Sequence, residues 1–225
     1  MRKVIKHVYF KLIIDKGGYY GILGVSSTSI SVIIAFLLYN SVNPTFTVIS
    51  NSVSDLGTGP NMSNIVYNVG ATLSGFCLLF YHLSIVKNLQ NKKVNTYIIK
   101  ITKFTSIISA SGLIVLGIIP FEKEMLTFFL GHGSAAATHY VAGSFTFFFY
   151  GFFEIFILKH FKIYGIISFL TSIIYGMLWI GYLIDFIFQI PQVYVNFILQ
   201  WISLAGIVLW SIFHSIFFFQ FKKYN

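Results

Sequence analysis

Charge is what this sequence has least of. Only 9% of its 225 residues are charged, whereas a soluble domain carries about 25%. Hydrophobic residues make up 56%. No water-soluble core of this length absorbs so much apolar surface, so the class is integral membrane protein. Long hydrophilic stretches are absent as well, which leaves one bundle and no separate soluble domain. Cysteine is nearly absent: Cys77 stands alone inside an apolar run. That excludes an intramolecular disulfide and a thiolate metal cluster. There is no internal repeat, so the inverted-repeat pattern of many transporters is missing. The chain has no low-complexity tract, no G-x-S-x-G, no H-E-x-x-H and no phosphate-binding glycine loop with lysine. Nothing like A-x-A follows the first apolar run, so it is read as a retained span and not as a signal peptide.

What is present is a set of six long apolar stretches, at residues 19–39, 65–86, 98–119, 135–158, 163–184 and 194–219. Each is close to the roughly 20 residues that cross a bilayer as a helix. The expected fold is therefore all-α, a six-helix transmembrane bundle over 19–219, with a basic segment at 1–18 and a tail at 220–225. The basic residues fall in alternate connections. Arg2, Lys3, Lys6, Lys11 and Lys16 precede span one; Lys87, Lys92, Lys93, Lys100 and Lys103 surround the second loop. Lys159 and Lys162 flank the fourth loop, and Lys222 and Lys223 follow span six. The other three loops share only Lys123. Positive charge stays on the cytoplasmic side, so both termini are expected inside a cell membrane. The net charge of +9 would suggest nucleic acid in a soluble protein. Here the basic residues flank spans, so membrane lipids with anionic headgroups are the expected partners and nucleic acid is not. Val4, Ile5, Val8, Tyr9, Leu12 and Ile13 recur at helical spacing, which fits a short helix on the inner surface or an extension of span one. No pattern speaks to oligomeric state.

The acidic residues are equally one-sided. Asp55, Glu122, Glu124 and Asp185 belong to outer loops, and His132 and His139 to the outer end of span four. The first outer loop contains Ser54-Asp55-Leu56-Gly57 and then Gly59-Pro60-Asn61. Ser54 and Asp55 can cap backbone amides, and Gly57 and Gly59 permit positive φ. Asn61, Asn64 and Asn68 follow at helical spacing and lead into Ala71 and Gly75, a face that suits a packed interface or a polar cavity. Span one carries hydroxyls at Ser26, Ser27, Thr28 and Ser29, which can bond to their own helix or pack against a neighbour. His132 and His139 are seven apart, so two helical turns place them on one face. With Asp55 they form a possible site for a divalent metal, although helical metal pairs more often sit at i and i+4. A hydrogen-bonded buried histidine is the commoner alternative. Glu154, His82 and His214 lie toward the inner ends of their spans. Glu154 is about one turn from Lys159, which predicts an interfacial ion pair.

The S-D-L-G element, the asparagine-containing start of span two, Gly117-x-x-Pro120 with Glu122 after it, and a histidine opening span four resemble the prokaryotic membrane family called domain of unknown function 998. The layout is more distantly similar to the Frag/DRAM/Sfk group of polytopic proteins. The resemblance covers about residues 20 to 215 and implies a fold more than an activity. Together these features predict an outward-facing polar site that binds or modifies a lipid or lipid-linked headgroup. If that site is catalytic, Asp55 and His139 are the acid/base or metal-binding pair and Glu122 supports them. Ser54, Asn68 and Asp185 are the candidate substrate-binding residues. The alternatives are a small transporter or channel, with His82, Glu154 and His214 lining its lower half, and a non-catalytic bundle that binds other membrane proteins.

Overall fold

The structure is a computed structural model that describes residues 15–90, 94–119, 129–158, 162–188 and 194–223. Among the described residues six α-helices carry the chain: α1 (Gly17–Val42), α2 (Ser63–Gln90), α3 (Thr96–Ile118), α4 (Ser134–Phe152), α5 (Lys162–Phe188) and α6 (Tyr194–Lys223). Six segments are long and apolar enough to cross a membrane. The fold is an all-α multi-pass bundle, with ends within a few residues of those the apolar runs predict. The predicted N-terminal surface helix falls mostly outside the described residues.

Each helix packs on its neighbours in sequence, and α6 returns to pack on α1, so the six close into a ring. The ring is built inside out compared with a soluble protein. Its outer face is a belt of exposed apolar side chains, such as Leu23, Ile30 and Leu37 on α1 and Ile166, Leu170 and Ile173 on α5. Its interior holds buried serines and threonines on every helix, among them Ser31, Ser74, Thr102, Thr146, Ser168 and Ser203. This is what lipid as solvent selects. Apolar surface costs nothing facing outward, and small or hydroxyl residues let helices approach. The span-one hydroxyls follow that rule. Ser27 donates to the Gly70 carbonyl (3.2 Å) and Thr28 to Ser74 Oγ (2.6 Å), tying α1 to α2. Gly75 of α2 meets the backbone of α3 at Ala110 and Ile114, and Gly112 of α3 meets that of α4 at Ala135 and His139.

Two π-helical segments flank α4: Phe129–Gly133 before it and Phe153–Ile157 after it. In the second, the Leu158 amide reaches the Phe153 carbonyl at 2.8 Å. Such one-residue expansions re-aim the side chains they carry, and Glu154 is one of them.

Candidate functional site

The loop between α1 and α2 is a plug and not a tether. Within it, Val53–Thr58 forms a 3₁₀ turn that opens with a capping box. Ser52 Oγ accepts from the Asp55 amide (3.2 Å), and Asp55 Oδ2 accepts from the Ser52 amide (2.7 Å). The cap satisfies two backbone donors and costs no apolar surface. Leu56 and Val53 then bury against Val32, Ala35 and Phe46. Trp201 Nε1 of α6 donates to the Asn51 carbonyl (3.0 Å), and the Ser54 amide donates to Gln200 Oε1 (3.4 Å). Gln200 in turn donates to Tyr182. The positive φ expected at Gly57 and Gly59 occurs instead at Asn61 (52°) and Met62 (63°). The two glycines are required for closeness: a Cβ on Gly57 would meet Asn68 and Tyr67, and one on Gly59 would meet Ser63 and Tyr39.

Beneath the plug lies a cavity of about 70 Å³. All six helices contribute to its wall, and Val53 of the turn completes it. Its polar lining includes Thr28, Ser74, His139, Tyr175, Gln200 and Ser203. Ser203 and Ser211 line it from α6, are 1% and 0% exposed, and have hydroxyl oxygens without a hydrogen-bond partner. A buried hydroxyl left unpaired costs about 1–3 kcal/mol. Gln200, Ser203, Ser211 and His214 form a polar stripe at helical spacing on an otherwise apolar helix, a signal present in the sequence and missed there.

The predicted site residues separate into groups. Asp55 is half-buried, and its hydrogen bond serves the cap; it also faces Tyr67 and His132 closely enough to interact with them electrostatically. Asn68 holds the plug by donating to the Gly57 carbonyl (3.1 Å). Ser54 contacts Ser52 Oγ (2.9 Å) and Gln200. His132 Nδ1 donates to the Ile119 carbonyl (3.0 Å). His139 sits about two turns deeper in α4. Its Nδ1 donates to the Ser109 carbonyl (2.9 Å), Ser109 Oγ donates to the His139 carbonyl (3.0 Å), and the Tyr175 hydroxyl lies 3.4 Å from Nε2. A carbonyl only accepts, so the ring hydrogen is on Nδ1 and Nε2 is left to accept from Tyr175. Glu122, Glu124 and the side chain of Asp185 lie outside the described residues. Among the described residues no three His, Cys, Asp or Glu side chains group closely enough to hold a metal.

At the opposite end, the one that carries the lysines, is a second cavity of about 40 Å³ walled by α2, α4 and α6. Between the two cavities lies an aromatic layer. Tyr81 and His82 fall between Leu78 and Ile85 on α2, Phe147 between Tyr140 and Tyr150 on α4, and Trp210 between Ile207 and His214 on α6. Tyr81, Phe147 and Trp210 are fully buried. Glu154 departs from expectation. It points into the bundle, 5% exposed, and pairs with His214 at 2.9 Å. The predicted partner, Lys159, is outside the described residues. The π-helical segment turns the carboxylate inward, and a partner on α6 cannot be inferred from neighbours in sequence.

Family models, curated proteins and solved structures offer no match to this chain. The site is therefore read from its own geometry.

Proposed function

We propose that this multi-pass membrane protein binds a small polar group carried on a lipid, in the cavity beneath the α1–α2 plug. The observation that carries this reading is the pair of unpartnered buried hydroxyls, Ser203 and Ser211, on the cavity wall. A ligand with two or more donors or acceptors would satisfy one of them, the two being about 12 Å apart along α6, together with the Tyr175 and Gln200 side chains on the same wall. A cavity needs about 10–15 Å³ to hold a water, so about 70 Å³ takes a group on the order of five heavy atoms. That is the size of a glycerol or sugar edge, with the acyl chains left in the bilayer. Binding is favoured over catalysis, because Asp55 serves the cap. The proposed kinship with domain of unknown function 998 adds a fold to this reading and no reaction.

The test uses the full chain, purified in detergent and melted with added lipid fractions. Binding should raise the melting temperature with a dependence on concentration, because a ligand stabilises only the state that holds it. Ser203→Leu fills the cavity and should abolish the rise. Equal shifts in both proteins, or none in the wild type with any fraction, would remove the proposal.

A second reading, a carrier, is favoured by one observation: two cavities lie on opposite sides of a single aromatic layer. Glu154 and His214 line the lower cavity as that reading requires, and His82 packs against Phe147 and Trp210 of the layer. Solute flux in reconstituted vesicles tests it.

A further inference from the structure

Glu154 and His214 are held by a hydrogen-bond frame that fixes where protons can be. His214 Nδ1 lies 2.8 Å from the carbonyl oxygen of Trp210, one turn back on α6. A carbonyl cannot donate, so Nδ1 carries a hydrogen. His214 Nε2 faces Glu154 Oε1 at 2.9 Å. The other carboxylate oxygen, Oε2, accepts from Ser168 Oγ (2.9 Å), and Ser168 Oγ accepts from Trp210 Nε1 (2.9 Å). The Ser168 hydroxyl also lies 3.2 Å from Nε2. A bare carboxylate oxygen and an unprotonated ring nitrogen are both acceptors. At 2.9 Å they would repel, and the unit would carry a net negative charge inside the membrane. One proton between them removes both penalties. Whether it rests on nitrogen or oxygen, the unit is neutral and the contact is a hydrogen bond. The proton belongs to the pair and not to either residue.

Among the described residues, the lower cavity offers this proton a route. The lower cavity reaches Glu154 and His214, with Asn88 as its other polar wall and Leu89 and Phe218 beside it. Its volume of about 40 Å³ has room for roughly three waters. On the other side Trp210 stacks on His214 at 4.3 Å and 22°, and stacks on Tyr150 in turn. The titratable groups facing the pair are Tyr81 and His82 on α2, Tyr150 on α4 and Tyr164 on α5. We propose that Glu154 and His214 form a proton-binding site inside the bundle, loaded and unloaded through the cavity at the lysine-bearing end. The site stands apart from ligand binding under the plug and does not depend on it.

Trp210 is the reporter: its indole stacks on the His214 ring and donates to Ser168, which donates to Glu154, so its emission responds to a change of charge on either partner. The test uses the full chain with Trp179→Phe and Trp201→Phe, in micelles, titrated with acid and base across the range where the fold persists. Trp210 emission should follow a single one-proton transition. His214→Gln should abolish it, and Glu154→Gln should move it. A flat titration in the two-substitution parent overturns the site, and that result does not depend on any pair variant folding. An unmoved transition in folded Glu154→Gln overturns it equally. Access is read from the relaxation of the same signal after a pH jump. Asn88→Phe should slow it severalfold and Asn88→Ala should not; an unchanged rate in Asn88→Phe refutes entry through the lower cavity.

Discussion

Gly112 sits where α3 and α4 come close, and replacing it by alanine should force the two helices apart. A Cβ at that position would lie 2.7 Å from the His139 amide nitrogen and 3.0 Å from the Ala135 carbonyl oxygen. Both are backbone atoms, so no rotamer change makes room. Relief requires a helix shift of about 0.7 Å, the distance short of an ordinary 3.4 Å contact. Overpacking of this kind costs about 1–3 kcal/mol. The same shift stretches both hydrogen bonds between Ser109 and His139, now 3.0 and 2.9 Å. At roughly 0.6 kcal/mol each between membrane helices, they add about 1 kcal/mol. Alanine's better helix propensity returns up to about 1 kcal/mol. The expected net loss is about 1–3 kcal/mol. Reversible unfolding in mixed micelles, followed by circular dichroism as denaturing detergent is added, measures it. Gly206→Ala is the control. Its nearest atoms lie 3.8, 3.9 and 4.0 Å from the new carbon, so only the propensity gain should appear. If Gly112→Ala proves as stable as Gly206→Ala, backbone contact does not set the α3–α4 spacing.

Orientation is checked with single cysteines at positions 58 and 93 of a Cys77→Ala chain: an impermeant thiol reagent should label the first in intact cells and spare the second. Asp55→Asn should change stability by less than about 0.5 kcal/mol, since the asparagine Oδ1 can still accept from the Ser52 amide, whereas removing the N-cap hydroxyl in Ser52→Ala should cost about 1 kcal/mol; melting of the purified variants, with and without zinc, separates a cap from a charge that binds. Trp210→Ala should cost about 3–5 kcal/mol, because it removes a fully buried ring and the donor to Ser168. Phe148→Ala, on the exposed face, should be nearly neutral in the same unfolding assay.

The six spans were legible because lipid imposes one rule on about 20 residues at a time, and a run of that length is hard to misread. Asp55 as a cap was legible for a related reason: capping is local, and its partner is three residues away. The rest depended on distance along the chain. Glu154 looked toward Lys159 when only neighbours were visible, but its partner is on the last helix. In sequence His139 reads either as a member of an outer polar site or as a buried, hydrogen-bonded histidine; its bonds to Ser109 tie α3 to α4, because Gly112 lets the two backbones meet. The π-helical turns left no sequence signal, since insertion of one residue into a helix is decided by packing. The serine stripe on α6 was visible in principle. Polar side chains at helical spacing on an apolar helix, here Gln200, Ser203, Ser211 and His214, mark the face that turns away from lipid.

Ring closure carries a consequence for how the chain is made. Five of its six seams join helices consecutive in sequence, so each can zip as the newer helix enters the bilayer. The seam between α6 and α1 has to wait for the last helix. It is also the seam that brings Trp201 to Asn51, Gln200 to Ser54, and Trp210 to the aromatic layer. Until then α1 through α5 form an open trough whose hydroxyl-lined side faces the bilayer laterally. A nascent chain stalled before residue 194 would hold five inserted helices with no enclosed cavity, its plug packed on α1 and α2 but without the bonds from Gln200 and Trp201. Completion of the interior is thus the last event of biogenesis, and a lipid present in the trough at that moment would be enclosed by closure without having to enter afterwards.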